Sequence, residues 1–149
     1  MSSLIPEDMK RNGRPALDGF DPSESLYYRF DSLENGKIPV QGIRFPDQST
    51  NWSRLGPPEW LRLVEHPKFA NAGLAAVVVD KIPKSLKPPT GGKDHNFKPA
   101  HVPEDENYPH AEIQLVKDGK RAKSYNDMVR MEYRIRIAQA STIVSNPLN

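Results

Sequence analysis

Proline placement constrains this chain more than any other feature. Of its 149 residues 15 are proline. Each one removes a backbone donor and fixes φ near about −65°, which bars it from helix interiors and from the middle of a sheet. Pro83, Pro88, Pro89, Pro99, Pro103 and Pro109 fall together with Gly91-Gly92 in residues 83–109. No apolar period runs through that stretch, so it reads as a long Pro-rich loop. Unstructured loops of that length in compact domains are usually functional or disordered. The 36% of residues that are hydrophobic must therefore build a core from the segments between the breaks.

Those segments can be read in order. Residues 1–24 are polar and broken by Gly13, Pro15, Gly19 and Pro22, which predicts a flexible N-terminal arm, ordered where it docks. "SLYYRF", 25–30, reads as a strand. Asn35-Gly36 is a turn signal, and Ile38, Val40, Ile43 and Phe45 suggest a second, broken strand, placed on an edge by Pro39. "PDQSTNWSRLGPPEWLRLVEHPKF" reads as a loop leading into a short helix, with Pro57 or Pro58 in its first turn and Pro67 ending it. "AGLAAVVVDKI", 72–82, predicts a central strand, because three consecutive valines imply burial on both faces. "HAEIQLVKDGKRA" returns to strand, with a turn at Asp118-Gly119. From Ser124 to about Ser145 the pattern is helical. Ser124 and Asp127 resemble a capping box. Met128, Met131, Ile135, Ala138 and Thr142 form one stripe beside Val129, Tyr133, Ile137 and Ala140. The sum is an arm, 1–24, and a single α+β domain, 25–149. That domain has a small mixed sheet of about three to five strands with two helices, one of them the long C-terminal helix, and the Pro-rich loop.

Charge and composition exclude several classes. The balance of 21 Lys+Arg against 19 Asp+Glu, a net +2, gives weak support to a nucleic-acid partner, which normally meets a clear basic excess. Without cysteine, no disulfide, thiolate metal site or cysteine nucleophile is possible. "MSSLIPEDMKRNGRP" has no apolar signal region, and "GLAAVVV" is far short of the roughly 20 residues that cross a bilayer. A soluble cytoplasmic protein is expected, without a membrane partner.

The candidate chemistry centres on a few residues. His95, His101 and His110 share one window, but their spacing matches no metal motif, and neither a metal nor a cofactor is called for. His110 and Glu112 lie two apart, so in a strand they face the same way with Gln114, while Ala111, Ile113 and Leu115 face the other. A neighbouring carboxylate that holds an imidazole's tautomer suits general acid–base work, although alternation of this kind is also what any half-exposed strand shows.

Arg29 in "LYYRF", Ser49 or Thr50 in "DQSTNWSR", and Glu112 in a later strand follow an order similar to that of ADP-ribosyltransferase-like folds. The analogy implies that an arginine binds a phosphate or ribose and a glutamate acts at the ribose carbon. The third small polar residue and the second glutamate of that pattern are missing here. A wider resemblance covers about residues 26–140. "LYYRF", "RFPDQSTNWSR", "GLAAVVV" and "HVPEDENYPHAEI" resemble in order a family of small uncharacterised bacterial proteins. Those carry an early LYR strand, a Ser-rich segment and a P-x-x-(E)N-x-P-H-A signature before a C-terminal helix. The resemblance implies a module rather than a mechanism, with Arg29, Ser49, Ser53, Asn107 and His110 in one cleft. Two functions follow as expectations. The first is an accessory or interaction subunit of a bacterial multi-protein system, docking on another protein through its arm, Pro-rich loop or C-terminal helix. The second is a small nucleotide-acting enzyme in which Arg29 holds a phosphate, His110 moves a proton and Glu112 orients it.

Overall fold

The computed structural model describes residues 5–86, 95–121 and 127–148. The architecture corrects the expected α+β domain with its small mixed sheet. The chain forms one 8-stranded antiparallel sheet that curls into a half-barrel, with a single α-helix among the described residues. The strands are β1 Ser25–Phe30, β2 Asp47–Trp52, β3 Gly73–Val78, β4 Ser85–Leu86, β5 His95–His101, β6 His110–Lys117, β7 Lys120–Arg121 and β8 Ser141–Ser145. Their order is β4-β5-β6-β2-β1-β3-β8, with β7 folded back on β6. Asp118 and Gly119 both have positive φ, 56° and 75°, and close the β6–β7 hairpin.

Each difference from the sequence reading has a local cause. The Pro-rich stretch contains β4 and β5, although Pro99 lies within β5. Phe97 donates its N–H to Lys84 O, away from β6. Pro99 is two residues on, so its nitrogen points the same way. β4 has ended there, since it pairs only with His95 and Asn96, so no ladder bond is lost. The expected helix near Trp60 is a short 3-10 helix, Pro58–Arg62; five residues between Pro57 and the turns before Pro67 cannot repay helix nucleation. Residues 38–45 hold a 3-10 turn at Val40–Gly42 instead of a strand, and the adjacent polar segment forms β2. The C-terminal helix, α1, is Asp127–Ala140. Its last expected turn is β8, where the β-branched run Thr142-Ile143-Val144 suits a pleated edge better than a helix. Ser124 lies outside the described residues.

One face of the sheet carries the core. Leu26, Tyr28 and Phe30 of β1, Ala75 and Val77 of β3, and Ala111, Ile113 and Leu115 of β6 are buried together. Helix α1 covers them with Val129, Tyr133 and Ile137, an i, i+4, i+8 stripe. Of the neighbouring stripe, Met128 and Met131 face out, 60% and 50% exposed, while Ala138 packs against the core. Tyr28 donates its hydroxyl to Ser141 Oγ, which donates to Ile137 O, both at 2.6 Å. This links β1 to the end of α1 and the start of β8.

Residues 5–24 lie along the 101–108 segment. Met9 is fully buried. Tyr108 N donates to Met9 O at 2.7 Å, Arg11 N to Asp105 O at 2.8 Å, and Tyr108 Oη to Pro15 O at 2.7 Å. His101 joins the two parts. Its Nδ1 accepts from Leu17 N at 2.8 Å, and its Nε2 lies 2.7 Å from Tyr108 O. A carbonyl only accepts, so Nε2 carries the proton and the ring is neutral. Burial, first, holds His101 below the ordinary histidine range; Arg11 and His110 act the same way, and the bond to Tyr108 O opposes them. The unfolded chain then binds this proton more readily than the folded one. Stability is full above the ordinary histidine pKa of about 6.5 and falls as pH drops through it toward the folded value. Urea unfolding followed across that window should show a steeper loss in the wild type than in His101→Gln.

Candidate functional site

The opposite face of the sheet holds the site. β1 pairs with β3 along its whole length, Ser25↔Val78 to Phe30↔Gly73, and β2 pairs with β6 from Asp47↔Gln114 to Asn51↔His110. Between β1 and β2 only Leu26↔Trp52 and Tyr27↔Asn51 are joined. Past those pairs the strands part, and a cavity of about 400 Å³ lies where they diverge, with Arg29 and Phe30 on one side and Gln48 and Ser49 on the other. The 102–110 segment closes it with Glu104, Asn107 and His110, and the stretch after the 3-10 helix adds Glu65, Lys68 and Phe69.

Ser49 and His110 meet in this cavity. Ser49 Oγ is 2.6 Å from His110 Nε2, and His110 Nδ1 is 2.7 Å from Val102 O. The Val102 carbonyl can only accept, so Nδ1 carries the proton. Nε2 of the neutral ring is then a lone-pair acceptor, and the Ser49 hydroxyl donates to it. The β2–β6 register brings the two side chains to the same face. The junction that turns the chain into β6 is held firmly: His110 N donates to Asn107 O and Val102 N to His110 O. Asn107 and Asn51, both buried, exchange side-chain amide bonds of 2.7 and 3.1 Å.

Arg29 is fixed beside the pair. Its Nη1 donates to Leu61 O at 3.0 Å, and its guanidinium lies 3.7 Å over the Phe69 ring. Burial, first, lowers its pKa from the ordinary arginine value; Arg44 acts the same way, and Glu65, Glu104 and Asp31 act against both. It keeps its charge, as arginine does in proteins.

The residues singled out by sequence are distributed as follows. Arg29, Ser49, Asn107 and His110 line the one cavity. Ser53 lies elsewhere and accepts from Ser25 N at 2.9 Å. Glu112 is the cross-strand neighbour of Ser49 on the same face, but it is outside the cavity lining and accepts from Gln114 Nε2 at 3.1 Å. The group that orients His110 is the Val102 carbonyl rather than Glu112. Sequence reasoning passed over Arg44, Gln48, Lys68 and Phe69. Only the clustering of Arg44 and Gln48 around "RFPDQST" hinted at the first two. Among the described residues no group of His, Asp and Glu is arranged to hold a metal ion, and no helix is long and apolar enough to cross a membrane.

Fold and site together define an antiparallel β protein with a serine–histidine pair in a polar cavity where the sheet splits. No family model matches the chain, and no curated protein and no solved structure matches it.

Proposed function

We propose that the protein is a small enzyme in which Ser49 is the nucleophile and His110 the general base, acting in hydrolysis or group transfer. The observation that carries this is the 2.6 Å contact between Ser49 Oγ and His110 Nε2, with Nδ1 pinned on Val102 O. A nucleophile within reach of a base that a third group orients is the geometry of covalent catalysis. As Ser49 Oγ bonds to an electrophilic carbonyl carbon or phosphorus, its proton passes to His110 Nε2. The leaving group departs with its bonding electrons and takes that proton. A water then gives a proton to Nε2 and adds as hydroxide to the same centre; Ser49 leaves and recovers the proton. Arg29 supplies positive charge beside the developing negative one. Glu112 has no part in this scheme.

A fluorophosphonate tests it. Ser49 Oγ should form the O–P bond and expel fluoride. Mass spectrometry should place the adduct on the Ser49 peptide, and Ser49→Ala should stay unlabelled. A folded wild-type protein that takes no label, or takes it elsewhere, defeats the proposal.

A protein partner is favoured by a separate observation. Met128 and Met131, three residues apart on the outer side of α1, are 60% and 50% exposed, and exposed apolar side chains that share a helix face suit an interaction site. The accessory role then belongs to the outer side of α1 and the chemistry to the cavity.

A further inference from the structure

The class of substrate can be argued from a second arginine in the same cavity. The argument rests on the Ser49–His110 reading and asks what that site would accept. Arg29 and Arg44 both line the cavity with Ser49 and His110. Among the described residues the ion pairs are Lys10–Glu7, Arg54–Glu24, Arg121–Asp47 and Arg136–Glu132, so neither cavity arginine belongs to one. Arg29 has one guanidinium nitrogen on Leu61 O and its flat face on Phe69. Among the described residues the rest of its donor fork has no acceptor. Arg44 is anchored through its backbone, whose N–H donates to Gln48 Oε1 at 2.7 Å, and among the described residues its exposed side chain has no hydrogen-bond partner. Two guanidiniums lining one void repel each other, and an oxyanion between them removes the repulsion and satisfies both forks.

The surrounding charges narrow the choice. Asp31, Glu65 and Glu104 also line the cavity, as does Lys68, whose Nζ lies 5.1 Å over the Phe69 ring. The three carboxylates reach Arg29 only beyond ion-pair distance, so they balance its charge without occupying its donors. They also disfavour a polyanion, because a chain of phosphates would pass them. Arg44 lies at the neck to an adjoining void of about 540 Å³ lined by Arg134, Asp31 and Asp47. Asp47 is bonded to Arg121 there. The neck offers positive charge and room for the remainder of a small molecule.

We propose that the substrate carries one oxyanion, a phosphate or a carboxylate, seated between Arg29 and Arg44, on an otherwise uncharged body. The test is a titration of the ¹⁵N-labelled full chain with inorganic phosphate and, separately, with acetate, following the arginine Nε–Hε signals. Arg29→Lys and Arg44→Lys assign them. Both signals should move together and saturably with at least one of the two anions, and the anion that saturates lower identifies the group. Arg44→Gln disturbs no described side-chain contact and should weaken that binding at least tenfold. No shift with either anion, or unchanged binding in Arg44→Gln, overturns the proposal. Fluorophosphonate labelling of the same samples separates the two claims. Labelling without anion binding overturns the oxyanion site alone. Anion binding without labelling keeps the site and overturns the catalytic reading.

Discussion

Replacing His110 by asparagine should reduce the rate of Ser49 labelling by about 10²–10⁴-fold, the usual contribution of a positioned general base. Asparagine is chosen over alanine for a structural reason. Its side-chain amide can donate to Val102 O roughly where Nδ1 does, so the 102–110 segment keeps its tie. It has no equivalent of Nε2, so Ser49 loses its acceptor. His110→Ala should lose labelling to the same extent but should also be less stable, because Val102 O then lacks its side-chain donor. Equal loss of labelling with unequal loss of stability separates a base from a structural histidine. If His110→Asn labels within about threefold of the wild type, the imidazole is not acting as the base.

The second large effect is on stability. Tyr133 sits in the core between Phe45 and Phe97, with ring centroids at 5.2 and 5.3 Å. Its hydroxyl accepts from Gln48 N at 3.0 Å and donates to Ile113 O. Gln48 and Ile113 are register partners across β2 and β6. The hydroxyl therefore bridges the two strands at this pair. Burial pushes the Tyr133 pKa up, so the group stays a neutral donor and acceptor. Tyr133→Phe keeps the ring packing and removes the hydroxyl partner of a buried N–H and a buried C=O. Each such group costs about 1–3 kcal/mol when left unsatisfied, so the variant should be less stable by about 2–6 kcal/mol in urea unfolding. A loss below about 0.5 kcal/mol would mean that the strands close and make the bond directly.

What could be read from sequence depended on where the stabilising partners lie. β6 was legible because Ala111, Ile113 and Leu115 alternate with polar residues, and they are buried to within 1%. β1 and β3 were legible from short aromatic and valine-rich runs. β2 was not, because "DQSTNW" shows no apolar alternation. Its burial is supported by polar bonds from far away: Thr50 Oγ1 donates to Ala111 O, Asn51 exchanges amide bonds with Asn107, and Gln48 N meets Tyr133. The prolines misled for a related reason. Pro99 is harmless only because β4 stops short of it, which is a tertiary fact. The site was half legible. His110 stood out at a loop-to-strand junction, but its partner lies 61 residues earlier, and only the β2–β6 register brings it there. Glu112 drew attention through sequence proximity, yet the group that orients the ring is a backbone carbonyl, which no side-chain pattern reveals.

The most direct test of the Ser49–His110 pair is the protonation state of the two nitrogens of His110, read by long-range ¹H–¹⁵N correlation at a pH where the ring is neutral. The structure predicts the proton on Nδ1 and a bare Nε2 that accepts from Ser49, with the Nε2 resonance moving in Ser49→Ala. A proton on Nε2 would make the ring the donor and Ser49 the acceptor, and the pair would hold no base.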